Sequence, residues 1–374
     1  MNPELKLPND FSRLSAQFKI SLPDRRALRK LGLAELEVWK LRNADKNFHA
    51  NRKSIHLLVN NLIGLTVSES QRLIRNAIYD DDAMSTDDLD KVQKEKYELI
   101  SQDEVLSFKF ETANFNQVGG LTNLKNWLAI RRQVFLPTEN THSLDIPKGI
   151  LLVGVQGCGK SLAARAVAGA WNVPLLRLDF GTLYNKFFGE TEKNMRKAIE
   201  LAEVMSPCIL WIDEIEKGIS TGDYDRGTSQ RLLATLLTWM AENKKPVFIV
   251  AAANNIDALP PELIRKGRLH EVFFVDLPDK ETLTDIFSIH LKKRNIDLSP
   301  IDLTELVQHS LGFSGSEVEQ VVVSALYQAM ALKQEVDTKH LLQEIQNTRP
   351  LSIVMSEQIS KLQQWASERT VMAH

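Results

Sequence analysis

The chain has 374 residues, 43% hydrophobic and 25% charged, with 46 Lys and Arg against 48 Asp and Glu for a net charge of −2. That length predicts two or three domains, and the balanced charge builds in no general attraction to nucleic acid or anionic lipid. Two cysteines exclude a disulfide framework, the opening MNPELKLPND lacks an apolar signal core, and no apolar run approaches the roughly 18 residues of a membrane span. The expectation is a multidomain chain of a reducing compartment, without export or a membrane segment.

Residues up to about 100 read as helical and polar. Within them an acidic stretch from Asp80 to Asp90 ends in a basic run, Lys91 to Lys96, and predicts a solvated loop followed by a helix capped by Ser85 or Thr86. From about 115 to 276 short apolar runs at 149–153, 175–179, 208–213, 247–252 and 272–275 alternate with helix-length amphipathic segments. This alternation predicts repeated β-α units around a parallel sheet, an α/β fold. From Asp279 onward the pattern is helical, broken at Ser299-Pro300, Gly312 to Gly315 and Pro350.

The first zone echoes the last. Leu62-Ile63-Gly64-Leu65-Thr66-Val67-Ser68-Glu69, followed by Ala77-Ile78-Tyr79, returns 248 residues later as Ser310-Leu311-Gly312-Phe313-Ser314-Gly315-Ser316-Glu317 with Ala325-Leu326-Tyr327. Leu7-Pro8 and Leu22-Pro23-Asp24 echo Leu259-Pro260 and Leu277-Pro278-Asp279 at slightly larger shifts. Three echoes in the same order predict a duplicated unit whose first copy carries only its tail, without a glycine-rich loop.

The strongest chemical signal is Gly154-Val155-Gln156-Gly157-Cys158-Gly159-Lys160-Ser161, a G-x-x-x-x-G-K-[ST] loop between an apolar run and an Ala-rich helix. Its glycines let backbone N–H groups curl around phosphate oxygens, and the helix N-terminus adds positive charge. Lys160 would meet the β- and γ-phosphates, and Ser161 would offer its hydroxyl to Mg²⁺. The apolar run 209–212 ends in Asp213-Glu214. By itself this also fits a capped strand. Following a phosphate loop by one β-α unit, it places Asp213 beside the metal and Glu214 where it can polarise a water for attack on the γ-phosphate. No N-K-x-D occurs to favour guanine, and no H-E-x-x-H to supply a zinc protease. Cys158 lies at a helix N-terminus, where thiol pKa values fall; it reads first as an inert small side chain in the loop, with a redox gate as the alternative. Cys158 and Cys208 belong to opposite ends of parallel strands, roughly 16 Å apart against a limit near 7 Å, and are not expected to bond.

Residues 115 to 349 resemble an AAA+ ATPase module of the AAA clade. Phe115-Asn116-Gln117-Val118-Gly119-Gly120-Leu121 is similar to the linker such modules wrap over the adenine, which implies base contacts through Gln117 and Gly119. Lys186-Phe187-Phe188-Gly189-Glu190 resembles the aromatic loop lining the pore of the family's rings. Asn254 takes the place of the polar sensor that reads the γ-phosphate. Arg265 and Arg268, in Ile264-Arg265-Lys266-Gly267-Arg268, take those of the arginine fingers that reach a neighbouring subunit's nucleotide. His290, Gly315 and Ser316 align with lid positions that close over the nucleotide. The rival readings are surface residues beside a turn for the arginines, a core pair for Phe187-Phe188 and a surface helix histidine for His290; but two adjacent Phe in a glycine-flanked stretch cannot both point inward, and exposed aromatics on a loop suit gripping a polymer. The phrases 211–218, 236–240 and 168–171 resemble a poorly characterised AAA family of algal plastids and cyanobacteria, whose members place a degenerate first AAA unit before an intact second one.

The resemblance implies four segments: a helical remnant of a degenerate first AAA unit (1–100), a linker and N-terminal AAA helix (101–135), a P-loop ATPase core (136–278), and a helical lid with C-terminal helices (279–374). It implies a Mg²⁺-dependent ATPase acting as a homo-oligomeric, hexameric ring that remodels a protein client, in a bacterial cytoplasm or plastid stroma. An ATP-dependent assembly switch is the alternative function. The near-neutral charge disfavours a DNA-acting motor.

Overall fold

Apolar runs long enough to be buried on both faces become central strands, and amphipathic segments between them become the helices that cover those faces. The computed structural model describes residues 22–43, 49–50, 58–59, 61–79, 83–84, 86–100, 106–109, 112–136, 144–183, 190–218, 226–265 and 267–374. The chain forms two compact units, divided between Val92 and Gln93.

In the first unit, α1 (Arg25–Arg42) packs on α2 (Val67–Tyr79), β1 (His49–Ala50) pairs parallel with β2 (Ala83–Met84), and α3 (Thr86–Ile100) begins at the expected position. Asp24 caps α1 by accepting from the Ala27 amide at 2.8 Å. Leu28, Trp39, Leu62, Leu73 and Ile74 are fully enclosed. Buried among them, Glu35 accepts from Arg75 Nε at 2.8 Å, and that hydrogen bond holds its carboxyl below the usual range despite burial.

The second unit is a three-layer α/β domain with an attached helical bundle. Its strands are β3 (Leu106–Lys109), β4 (Gly149–Gly154), β5 (Leu175–Leu178), β6 (Cys208–Ile212), β7 (Val247–Ala253), β8 (Glu271–Val275) and β9 (Val371–Met372), in the order β3-β5-β6-β7-β4-β8-β9. All pairs are parallel except β3 on β5. The five anticipated runs are the five central strands. Edge strands β3 and β9 were not anticipated.

Period-two alternation splits the sheet between two cores. Ile150, Leu152, Phe248, Val250 and Phe273 pack under α4 (Thr122–Phe135) and α5 (Lys160–Trp171). Leu151, Val153, Leu210, Ile249 and Phe274 pack under α6 (Glu190–Val204) and α7 (Arg226–Glu242). The bundle comprises α8 (Lys280–Lys293), α9 (Leu303–His309), α10 (Gly315–Leu332) and α11 (Thr338–Asn347), around Leu283, Phe287, Leu306, Val322 and Leu341. The last helix, α12 (Ser356–Ser367), leaves the bundle and adds Ile359, Leu362 and Ala366 to the sheet's core.

The sequence echo has a geometric counterpart within each unit. Gly64 (φ 92°) and Gly312 (φ 87°) adopt the same left-handed turn. Next, Glu69 Oε2 accepts from the Thr66 amide and hydroxyl at 2.8 and 2.7 Å. Glu317 Oε2 accepts from the Ser314 amide and hydroxyl at 2.7 and 2.8 Å. Both are reciprocal capping boxes at the start of equivalent helices. Asp279 likewise repeats the cap of Asp24, accepting from the Thr282 amide at 2.8 Å.

Candidate nucleotide site

The strand order decides where the chemistry gathers. With β7 between β6 and β4, the chain leaves three adjacent strand ends at one edge of the sheet, carrying Asp213-Glu214, Asn254 and the glycine loop. Gly154 lies so close to β8 that a Cβ would stand 2.0 Å from Val275 O. Gly157 (φ 79°) tolerates no side chain either, because a Cβ would meet Ser316 Oγ at 2.2 Å. The loop from Val155 through Gln156, Cys158 and Gly159 then enters α5 at Lys160.

Lys160 is almost fully buried, and its ammonium donates to Gly154 O and Val155 O at 2.8 Å each. Burial pushes its pKa down to about 8, against the pull of nearby acids including Glu216 and Asp213. Ser161 Oγ lies 3.4 and 3.5 Å from the two Asp213 carboxylate oxygens. Burial raises the Asp213 pKa, while Arg177 on the neighbouring strand opposes the shift. One hydroxyl and one carboxylate are hard oxygen ligands of the kind Mg²⁺ uses while keeping several waters, so this pair fits that ion.

Glu214 sits at φ 48°. Its Oε1 is 3.5 Å from Asn254 Nδ2, and its Oε2 accepts from Lys217 Nζ at 2.7 Å. The Asn254 backbone is fixed by a 2.9 Å hydrogen bond from its amide to Glu216 Oε1. In the sequence Glu216 and Lys217 stand out only within the 211–218 phrase that resembles the plastid family. A second carboxylate two residues beyond Asp213-Glu214 was the available signal for Glu216.

The bundle reaches the loop directly. The Ser316 amide donates to Gly157 O at 3.0 Å, and Gly315 lies against the same oxygen. Gly119 packs on α8 so tightly that a Cβ would stand 2.8 Å from Ile286. Gln117 closes a box with Asn114, its Oε1 accepting from the Asn114 amide at 3.0 Å. His290 is apart from the phosphate loop's hydrogen bonds; its Nδ1 lies 3.5 Å from Glu319 and burial lowers its pKa. Arg265 is exposed, and Arg268 donates to Glu262 O at 2.8 Å on the same turn. Phe187, Phe188 and Gly189 lie outside the described residues.

A cavity of about 390 Å³ opens beside the site, lined by Val155, Gln156, Asn254 and Asp257 and walled by Met355 and Ile359 from the C-terminal segment. At Cys158 burial pushes the thiol pKa up to about 12, outweighing the nearby Lys160 charge, which favours the inert small side chain over the redox gate. Cys158 and Cys208 are both free, as expected. Among the described residues no helix is long and apolar enough to cross a membrane.

Residues 150–277 match the profile of the ATPase family associated with various cellular activities, AAA, and residues 27–103 match that of the SpoVK-like AAA ATPase second domain. The chain is 43% identical over 317 residues to the uncharacterized AAA domain-containing protein ycf46 of Guillardia theta, covering 84% of this chain and 63% of that one. It is 38% identical over 366 residues to ycf46 of Gracilaria tenuistipitata var. liui, covering 97% and 73%. A putative cell division cycle ATPase of Plasmodium falciparum is 31% identical over 240 residues, 62% of this chain and 19% of that one. The chain therefore spans about two thirds of the length of the ycf46 proteins it matches. With the phosphate loop, the acid pair and the adjacent Asn254 brought to one sheet edge, these matches identify the chain as a member of the AAA ATPase family, related to the ycf46 proteins.

Proposed function

We propose that this chain hydrolyses ATP with Mg²⁺ at the Gly154–Ser161 loop, as the engine of a ring that remodels a protein client. The observation that carries the reading is the approach of Ser161 Oγ to the Asp213 carboxylate, with Glu214 and Asn254 3.5 Å apart at the neighbouring strand ends. On this reading Lys160 exchanges the carbonyls of Gly154 and Val155 for phosphate oxygens, while the loop amides hold the remaining charge. Ser161 and Asp213 hold Mg²⁺, which neutralises charge between the phosphates when bound. Glu214 draws a proton from the attacking water, and Asn254, steadied by Glu216, orients that water.

Gln117 and Gly119 at the linker, His290, Gly315 and Ser316 on the bundle would enclose the base and ribose. Arg265 is exposed and Arg268 is held on the Glu262 carbonyl; as fingers they would serve a neighbouring copy, and a ring would follow from that role. Phe187, Phe188 and Gly189 would grip the client in its pore. We read residues 1–100 as belonging to a first, degenerate AAA unit, supported by the profile match at 27–103 and the repeated capping boxes. A plastid or bacterial cytoplasm suits the resemblance to ycf46.

Lys160→Ala tests the site. Titration with ATP and Mg²⁺ is expected to lose at least tenfold in affinity, because the ammonium that would meet the phosphates is gone. Unchanged affinity and turnover would overturn the assignment.

A further inference from the structure

The linker turn ahead of α4 is strained. Gly120 and Leu121 adopt left-handed conformations in succession, at φ 60° and 55°, and Leu121 is a bulky residue that seldom does so. Leu121 also stands at the N-cap of α4, where its side chain supplies no hydrogen bond. Strand β9 and the residues after it supply what is missing. Ala373 O accepts from the Leu124 amide at 3.2 Å, and Asn123 Nδ2 donates to Met372 O at 3.1 Å. The Leu121 amide donates to His374 Nδ1 at 3.1 Å. The same ring stands against Gly120, where a Cβ would lie 2.6 Å from Nδ1.

These ties divide by purpose. The Ala373 amide, which donates to Phe274 O at 2.9 Å, and the Ala373 carbonyl already fasten the segment to β8 and α4. The His374 imidazole reaches the linker instead. On the other side Lys125 Nζ donates to Val118 O at 2.7 Å, so Gly119 and Gly120 are held between two fixed points. A neutral imidazole can accept at Nδ1 and a protonated one cannot. Burial, helped by the Lys125 charge, lowers the His374 pKa against the pull of Asp279 and Asp276 and so favours the accepting form. We propose that His374 is a positioning residue that sets the strained turn beside Gln117 and Gly119, and so lets the site tell a nucleotide from bare polyphosphate. This rests on the reading of that linker as the segment that contacts the base.

The test measures binding of ATP and of inorganic tripolyphosphate, each with Mg²⁺, to the unmodified chain, His374→Ala and His374→Asn. His374→Ala is expected to weaken ATP binding about two- to tenfold, the range of one hydrogen bond, and to leave tripolyphosphate within about twofold. In His374→Asn the side-chain oxygen can accept in place of Nδ1 and should restore ATP binding. Unchanged ATP affinity in His374→Ala overturns the proposal alone. So does an equal loss for both ligands, which a general loosening of the fold would give, or a loss that His374→Asn does not reduce. If the unmodified chain binds tripolyphosphate as tightly as ATP, the base-contact reading falls and this proposal with it. Loss of both ligands in Lys160→Ala would still support the phosphate loop in that case.

Discussion

At the scale of single residues, burial decides more than sequence context. Lys96, inside the fold, donates to Val204 O at 2.8 Å, and desolvation pushes its pKa to about 7. The unfolded chain keeps this lysine near its ordinary value of roughly 10.4. Between pH 7 and 10 the unfolded state therefore holds a proton that the folded state has released, and stability rises with pH across that window. Cys208, pushed up to about 12 beside it, acts in the opposite direction at alkaline pH but is common to both proteins compared below. Lys96→Met is thus expected to gain most over the unmodified chain near pH 7, with the gap narrowing toward pH 10 by up to about 1.4 kcal/mol per unit. Urea denaturation at pH 7, 8.5 and 10 measures it, and a constant gap would refute the buried neutral amine. Cys158 carries the same lesson. Its place at a helix N-terminus favours activation, but apolar surroundings outweigh the single nearby cation.

At the scale of elements, the capping boxes explain how two helices in distant parts of the chain begin alike. A serine or threonine that satisfies its own helix N-terminus contributes about 1 kcal/mol. Ser314→Ala is expected to lower the stability of the second unit by about that amount, read as a fall in thermal midpoint, with Ser314→Thr near the original value. No shift would mean that the box in α10 carries no load. The central strands were legible in the sequence because β4 and β7 are buried on both faces and so read as unbroken apolar runs. Edge strands β3 and β9 were not. Leu-Ser-Phe-Lys offers only four alternating residues, and the two exposed residues of β9 follow a helical pattern. Among the candidate site residues that the structure brings to neighbouring strand ends, the loop, Asp213 and Glu214 follow from motif and spacing, and Asn254 only from the family resemblance. The partners Glu216 and Lys217 do not, because neither hydrogen bond follows from a sequence period.

Across the second unit, the C-terminal segment ties together what the ATPase chemistry would move. The Leu351 amide donates to Glu317 at 2.7 Å on the bundle, and Lys361 pairs with Asp257 at 2.6 Å beyond Asn254. Gln363 donates to Asp276 at 2.9 Å, ahead of the Asp279 cap. At the end of β9 the Ala373 amide donates to Phe274 O at 2.9 Å, and the Leu121 amide donates to His374 Nδ1 at 3.1 Å beside the linker. A segment bonded to the bundle, the loop after β7 and residue 121 does not show in a sequence whose tail reads as helical throughout. The central claim remains the hydrolytic site itself. Its most direct test is ATP binding and turnover by Glu214→Gln, which preserves shape while removing the base. The account predicts one ATP bound per chain at unchanged affinity, with turnover reduced by about 10²-fold or more. Turnover at the unmodified rate would contradict it.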